Sequence, residues 1–206
     1  MGLKLYGWAR SRARRCIWML KELGQPFEHD PVAHTDPRVK SPEFLKISPQ
    51  GTIPVLVDDG FALDESLAIN LYLAKKYGLG ALYPERPNEE AMTWRWSLWA
   101  HGELEAPLQT VFLHRFLKPE AERDEALAVA GEAALQTPLA QLEQALEGRQ
   151  WLVGHRFTVA DLNVSSVLAP MRIEHIRLGK YDNVRAWLVR CYQRPAAVEC
   201  LKMAAV

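Results

Sequence analysis

Cysteine is scarce in this chain: three in 206 residues, at Cys16, Cys191 and Cys200. A scattered, odd set excludes a disulfide framework, and no metal-ligand spacing joins the three. Reduced thiols in a cytoplasmic setting are therefore expected, with no bound metal. An excess of one charge is also missing. The 25 Lys and Arg balance the 25 Asp and Glu. That balance excludes the broad basic surface of a nucleic-acid binder and the acidic bias of a disordered chain. No apolar run approaches the roughly 18–20 residues that span a bilayer, so no membrane association is expected. Met1-Gly2-Leu3-Lys4-Leu5-Tyr6 lacks the basic leader and apolar segment of a cleaved signal, and secretion is not expected either. Internal repeats and low-complexity tracts are absent too. An apolar content of 49% over this length suits one large globular unit or two small ones.

The two ends of the chain carry different patterns. Leu3 to Tyr6 reads as a short strand. Ser11 to Leu23 sets Cys16, Ile17, Leu20 and Leu23 on one helical face, and Gly24 follows as a stop. Phe27 to Pro31 is extended again. A connector bearing Pro31, Pro37, Pro42 and Pro49 has room for one short helix over Pro42 to Ile47. Pro54 to Val57, the Asp58-Asp59-Gly60 turn and Phe61 to Leu63 read as a hairpin, and Glu65 to Tyr77 as a second strong helix. Beyond Leu82 the strand signal vanishes. Helical patterns follow over 88–117, 120–147, 158–170 and 182–193, with a tail helix from Pro195. The expected organisation is therefore an α/β domain over 1–82, a linker over 83–88 and an all-α domain over 89–206. Phe157-Thr158-Val159-Ala160-Asp161-Leu162 adds a capping box, Thr158 with Asp161, flanked by a hydrophobic staple.

Three segments of the first part carry the chemistry. They are Tyr6-Gly7-Trp8-Ala9-Arg10-Ser11-Arg12, Ser48-Pro49-Gln50-Gly51-Thr52-Ile53-Pro54-Val55-Leu56, and Leu63-Asp64-Glu65-Ser66-Leu67-Ala68-Ile69. With Phe157 to Leu162 and the helical second part, they resemble the cytosolic glutathione S-transferase family in order and spacing along essentially the whole chain. The arginine-rich start of the first helix is more similar to bacterial, serine-type or arginine-assisted members than to tyrosine-type ones. The resemblance implies a thioredoxin-like β-α-β-α-β-β-α domain followed by a helical bundle. It also implies glutathione as co-substrate, a cytoplasmic location and a homodimer.

Residue by residue, the resemblance assigns a cis bond to Ile53-Pro54, whose main chain would pair with the cysteinyl unit of glutathione as an added strand. A proline opening a strand is the alternative. Ser66 and its amide would take the γ-glutamyl carboxylate at a helix N-terminus, and Glu65 the ammonium. Asp64, as N-cap, offers the plain capping alternative. Lys40 stands where related classes place a basic group for the glycyl carboxylate, and Thr52 where some relatives have Gln. A thiol of pKa about 8.5 must lose its proton to act, and a hydroxyl donor at a helix start favours the thiolate. Ser11 occupies that place and also reads as a simple cap. Counting back from Gly24 puts Arg10 in the serine's position instead, so Arg10 and Arg12 are alternates. Tyr6, inside a strand, is not expected to be the donor, and Cys16 reads as a core thiol.

An electrophile pocket is expected between the two parts, lined by Trp8, Arg10, Trp96, Trp99 and Glu103. The same tryptophans at helical spacing also read as core. Conjugation of glutathione to a small hydrophobic electrophile is the function implied. A non-catalytic binding or regulatory protein of the same fold, similar to stringent-starvation proteins, is the alternative, as is a glutathione-dependent peroxidase or thiol reductase.

Overall fold

The computed structural model describes residues 2–169 and 178–205. They divide into two compact units, one made of Met1–Glu85 with Tyr192–Val206, the other of Arg86–Cys191.

The first unit is thioredoxin-like. Strands β1 (Leu3–Tyr6), β2 (Phe27–Asp30), β3 (Val55–Asp58) and β4 (Phe61–Asp64) form one sheet in the order β2-β1-β3-β4. β1 runs parallel to β2 and antiparallel to β3, and β3 antiparallel to β4. The parallel pair needs a crossover, and α1 (Ala13–Glu22) supplies it. Helix α1 packs on α3 (Ser66–Tyr77), and Cys16, Ile17 and Leu20 of the one and Ile69 and Leu73 of the other are buried. A smaller core of Val32, Val39, Phe44 and Val55 includes α2 (Pro42–Leu45) and receives Tyr6 and Ile53. Tyr6 meets Phe44 edge-on at 5.7 Å between ring centres, so its ring belongs to that core.

Asp58, at the end of β3, pins α3 from below. It accepts from Tyr72 Oη at 2.8 Å, Lys76 Nζ at 2.6 Å and Tyr77 Oη at 2.9 Å. Burial opposes the charge, but these three donors outweigh it and hold the carboxyl below its usual range.

The tail from Tyr192, which the sequence pattern assigns to the helical part, joins the first unit. Helix α9 (Pro195–Ala205) packs on α1. Arg194 forms a bidentate pair with Glu22 at 2.7 Å on each oxygen, and Trp18 Nε1 donates to the same carboxylate at 2.9 Å. The Glu22 side chain is only 6% exposed. A buried carboxylate needs such partners, and α1 holds none of them within hydrogen-bonding sequence range except Trp18.

The second unit is helical: α4 (Pro87–Trp99), α5 (Ala106–Phe112), α6 (Glu125–Ala145), α7 (Val159–Val167) and α8 (Asp182–Tyr192). The single helix expected over 88–117 is broken by π-turns at Ala100–Glu105 and Leu113–Leu117. Pro107 explains the first, because it has no N–H to give Glu103 and its ring crowds that carbonyl. Helix α6 starts later than its pattern suggests because Asp124 caps it, accepting from the amides of Ala126 and Leu127. Pro170, the expected end of α7, lies outside the described residues.

The capping box at α7 forms as its spacing predicts. Asp161, fully buried, accepts from the Thr158 amide at 3.0 Å and hydroxyl at 3.2 Å. It also accepts from the Leu152 amide and Trp187 Nε1, each at 2.9 Å. Among the described residues no helix is long and apolar enough to cross a membrane.

Candidate active site

The three sequence segments converge within the first unit, and Gly7 is what lets them. Its φ of +140° suits glycine, and a Cβ there would stand 2.6 Å from Ala13 Cβ and 3.5 Å from both Ile53 Cβ and Pro54 Cα. The turn after β1 therefore runs directly against the Ile53-Pro54 bond, which is cis. Both polar groups of Gly7 are tied to β2: its amide donates to Asp30 O at 2.9 Å, and His29 Nε2 donates to its carbonyl at 2.8 Å.

Ser11 stands on this turn. Its hydroxyl accepts from the Ala13 amide at 3.1 Å and donates to the Trp8 carbonyl at 2.7 Å. It thus braces the turn ahead of α1, whose N-cap is Arg12, and the position of its proton is set by a neutral acceptor. Trp8 and Arg10 are exposed, with the guanidinium 5.3 Å from the indole centre, and Arg12 is exposed beside them. No acidic residue occupies the first turn of α1, so the positive end of that helix is not neutralised by its own sequence.

Ladder pairing of β3 begins at Val55, leaving the main chain of Ile53 just outside the sheet. The loop before it is fixed by Ser48, fully buried, which accepts from the Thr52 amide and donates to the Thr52 carbonyl, both at 3.1 Å. Lys40 reaches the same loop. Its Nζ donates to Gln50 O at 2.9 Å and Gly51 O at 3.3 Å. The Thr52 side chain is exposed, and its backbone is what the fold uses.

Gly51 makes this approach possible. Its φ is +61°, and a Cβ would fall 2.5 Å from Val39 O and 2.8 Å from Lys40 Nζ. Gly51→Ala is therefore expected to cost about 2 kcal/mol, from the left-handed backbone and the displaced connector. For a chain of this size that lowers the thermal midpoint by about 4–8 °C, read by circular dichroism. An unchanged midpoint would show that the connector gives way freely.

At the third segment, Asp64 ends β4 and does not cap α3. Glu65 takes the N-cap position with φ 64° and ψ 104°, and its side chain makes no capping bond. Such backbone is uncommon outside glycine and concentrates at functional sites. Ser66, 3% exposed, opens the helix. Arg15 Nη1 donates to its hydroxyl at 3.2 Å, and Cys16 Sγ to its carbonyl at 3.6 Å. The sequence pattern treats Arg10 to Arg15 as one local cluster and misses this contact. Burial pushes the Cys16 thiol far up, so it is a core group and no nucleophile.

In the second unit, Trp96 is buried and Trp99 half-buried, edge-on at 5.1 Å, with Arg95 stacked 4.0 Å from the Trp96 centre. Trp96 Nε1 has no hydrogen-bond partner among the described residues. Glu103, expected on the same face, is exposed. It lies in the π-turn over Ala100–Glu105, where the helical phase changes. Among the described residues no group of three or more His, Cys, Asp or Glu is placed to hold a metal ion.

A thioredoxin-like sheet with a cis X-Pro bond before β3, followed by a helical unit, is the two-part architecture of the glutathione-transferase fold class. The comparisons then name the family. Residues 5–86 match the glutathione S-transferase N-terminal domain and residues 106–195 the C-terminal domain. Glutathione S-transferase D7 of Drosophila melanogaster is 33% identical over 189 residues, covering 90% of this chain and 82% of that protein. The theta class glutathione S-transferase of Xanthomonas axonopodis pv. citri, solved with glutathione bound, superposes with a TM-score of 0.89. It is 29% identical over 96% of each chain. A glutathione S-transferase-I bound with lactoylglutathione gives a TM-score of 0.88 at 29% identity, over 100% of this chain and 99% of its own. The chain belongs to the glutathione S-transferase family of enzymes.

Proposed function

We propose that this chain binds glutathione along the Ile53 main chain and, in the serine-type manner, uses Ser11 to hold the thiol as a thiolate for attack on a small hydrophobic electrophile. The observation that carries the reading is the packing of the Ser11 turn against Ile53-Pro54 through Gly7. A tripeptide pairing with the main chain of Ile53, just ahead of β3, brings its central residue to that turn. Ser11 stands two residues before α1 and Arg15 in its first turn, so the helix start links the Ser11 turn to Ser66. Lys40, anchored at Gln50 and Gly51, supplies the glycyl end with positive charge. Glu65 receives the ammonium.

The sulfur needs more than one donor. A hydrogen bond to a charged group is worth about 1.5–3 kcal/mol and a neutral one about 0.5–1.5. Turning the Ser11 hydroxyl from the Trp8 carbonyl to a thiolate therefore gains about 1–1.5 kcal/mol, near one pKa unit. From about 8.5 that leaves the thiol still largely protonated at neutral pH. The positive end of the α1 dipole and the guanidinium of Arg12 or Arg10 make up the remainder. Trp8 offers the electrophile an aromatic face. Homodimerisation and a cytoplasmic location rest on the family likeness.

Calorimetric titration with glutathione tests the binding half. Ser66→Ala is expected to raise Kd about tenfold, the loss of one charge-assisted bond. An unchanged Kd overturns the γ-glutamyl placement. No binding by the unaltered chain would instead make it a regulatory protein on a transferase scaffold.

A further inference from the structure

We propose that Arg15 is a positioning residue for the γ-glutamyl carboxylate of glutathione, acting through the hydroxyl of Ser66; this rests on the placement of glutathione given above. The argument is one of hydrogen-bond polarity. A guanidinium has five N–H donors and no acceptor, so its bond to Ser66 Oγ at 3.2 Å runs in one direction only. Ser66 Oγ is the acceptor. The hydroxyl proton is then turned away from Arg15, free to be given to an anion and unable to point back.

A serine hydroxyl otherwise rotates among its acceptors, as that of Ser11 does when it settles on the Trp8 carbonyl. At Ser66 the rotation is suppressed before any ligand arrives. A polarised hydroxyl beside a cation is also a better donor to a carboxylate than an isolated one.

Three further observations keep the pair in register. Ser66 is 3% exposed, so water competes poorly for its hydroxyl. Its carbonyl receives Cys16 Sγ, the residue next to Arg15, at 3.6 Å, which docks α1 on the start of α3 twice over. Asp58 grips the same helix further along through Tyr72, Lys76 and Tyr77, fixing where its first turn lies. Arg15 thus selects for a carboxylate on the γ-glutamyl unit, and the helix start beside it adds unspecific positive potential.

The test compares glutathione with 4-aminobutanoyl-cysteinylglycine, the same tripeptide without the α-carboxylate. Titrations use the full chain, as the unaltered protein, Arg15→Gln, Arg15→Lys and Ser66→Ala. The unaltered protein is expected to prefer glutathione by about 30-fold or more. Arg15→Gln is expected to weaken glutathione about tenfold and leave the analogue within twofold, so the preference collapses. Arg15→Lys, which keeps a donor-only cation, recovers part of it. In turnover assays the loss falls on KM for glutathione far more than on kcat. Equal weakening of both peptides by Arg15→Gln, or no weakening, overturns the proposal and leaves Arg15 a packing residue. If Arg15→Gln does not fold, Arg15→Lys decides on the same ratio. Equal affinity of the unaltered protein for both peptides, with Ser66→Ala silent, would instead overturn the glutathione placement itself.

Discussion

Ser11→Ala is expected to lower kcat/KM for conjugation of an aryl halide by about 10–100-fold while moving the Kd for glutathione far less. Removal of one preorganised donor from a developing or resident anion has costs of that order. The direction is set by the exchange described for Ser11, where the charged acceptor gains what the Trp8 carbonyl gives up. The pH profile supplies the sharper readout. Without the hydroxyl the thiol of bound glutathione rises by about one unit, so the rising limb of kcat against pH shifts upward by that amount. The variant also loses the acceptor for the Ala13 amide, about 1 kcal/mol of helix stability, and rates should be compared well below its unfolding range. Undiminished turnover with an unmoved profile would transfer the role to Arg10 or Arg12.

The largest effect on stability is expected at Asp161. Alanine there strands the amides of Leu152 and Thr158 and the indole N–H of Trp187, all aimed at a carboxylate that is gone. Each buried orphan costs about 1–3 kcal/mol, so the sum reaches about 3–5 kcal/mol. The thermal midpoint of the helical unit should fall by about 10 °C or more. Burial pushes the Asp161 carboxyl up to about 6, in spite of four donors. Its proton is therefore held more tightly folded than unfolded. The contribution of this linkage to stability is full below pH about 4 and is lost as pH rises through about 6. Urea titrations across that window should slope downward with pH for the unaltered protein and run flatter for Asp161→Ala. An equal slope in both would mean the group titrates unperturbed.

How much of this was legible in the sequence depends on the distance over which each feature is written. The strand order β-α-β then β-β-α, the break near residue 85 and the Thr158–Asp161 box are local patterns, and spacing alone gives them. The partners of Asp161 are not local. Leu152 and Trp187 lie 9 and 26 residues away, and no periodicity links them to the box. The same holds for the tail, which attaches through Arg194 and Glu22 across 172 positions. The π-turn over Ala100–Glu105 is not local to any one residue's spacing either: the pattern assumes an unbroken α-helix, and Pro107 imposes a wider turn just before it. Arg15 was hidden among its neighbours, because four arginines in six residues look alike until the helix phase assigns each a direction.

All three cysteines are buried, and burial holds the Cys200 thiol up near 11, well away from ionisation at neutral pH. The native protein therefore offers an alkylating compound no accessible thiol of its own. Reagents such as iodoacetamide should label this protein slowly in its native state and quickly once it is denatured.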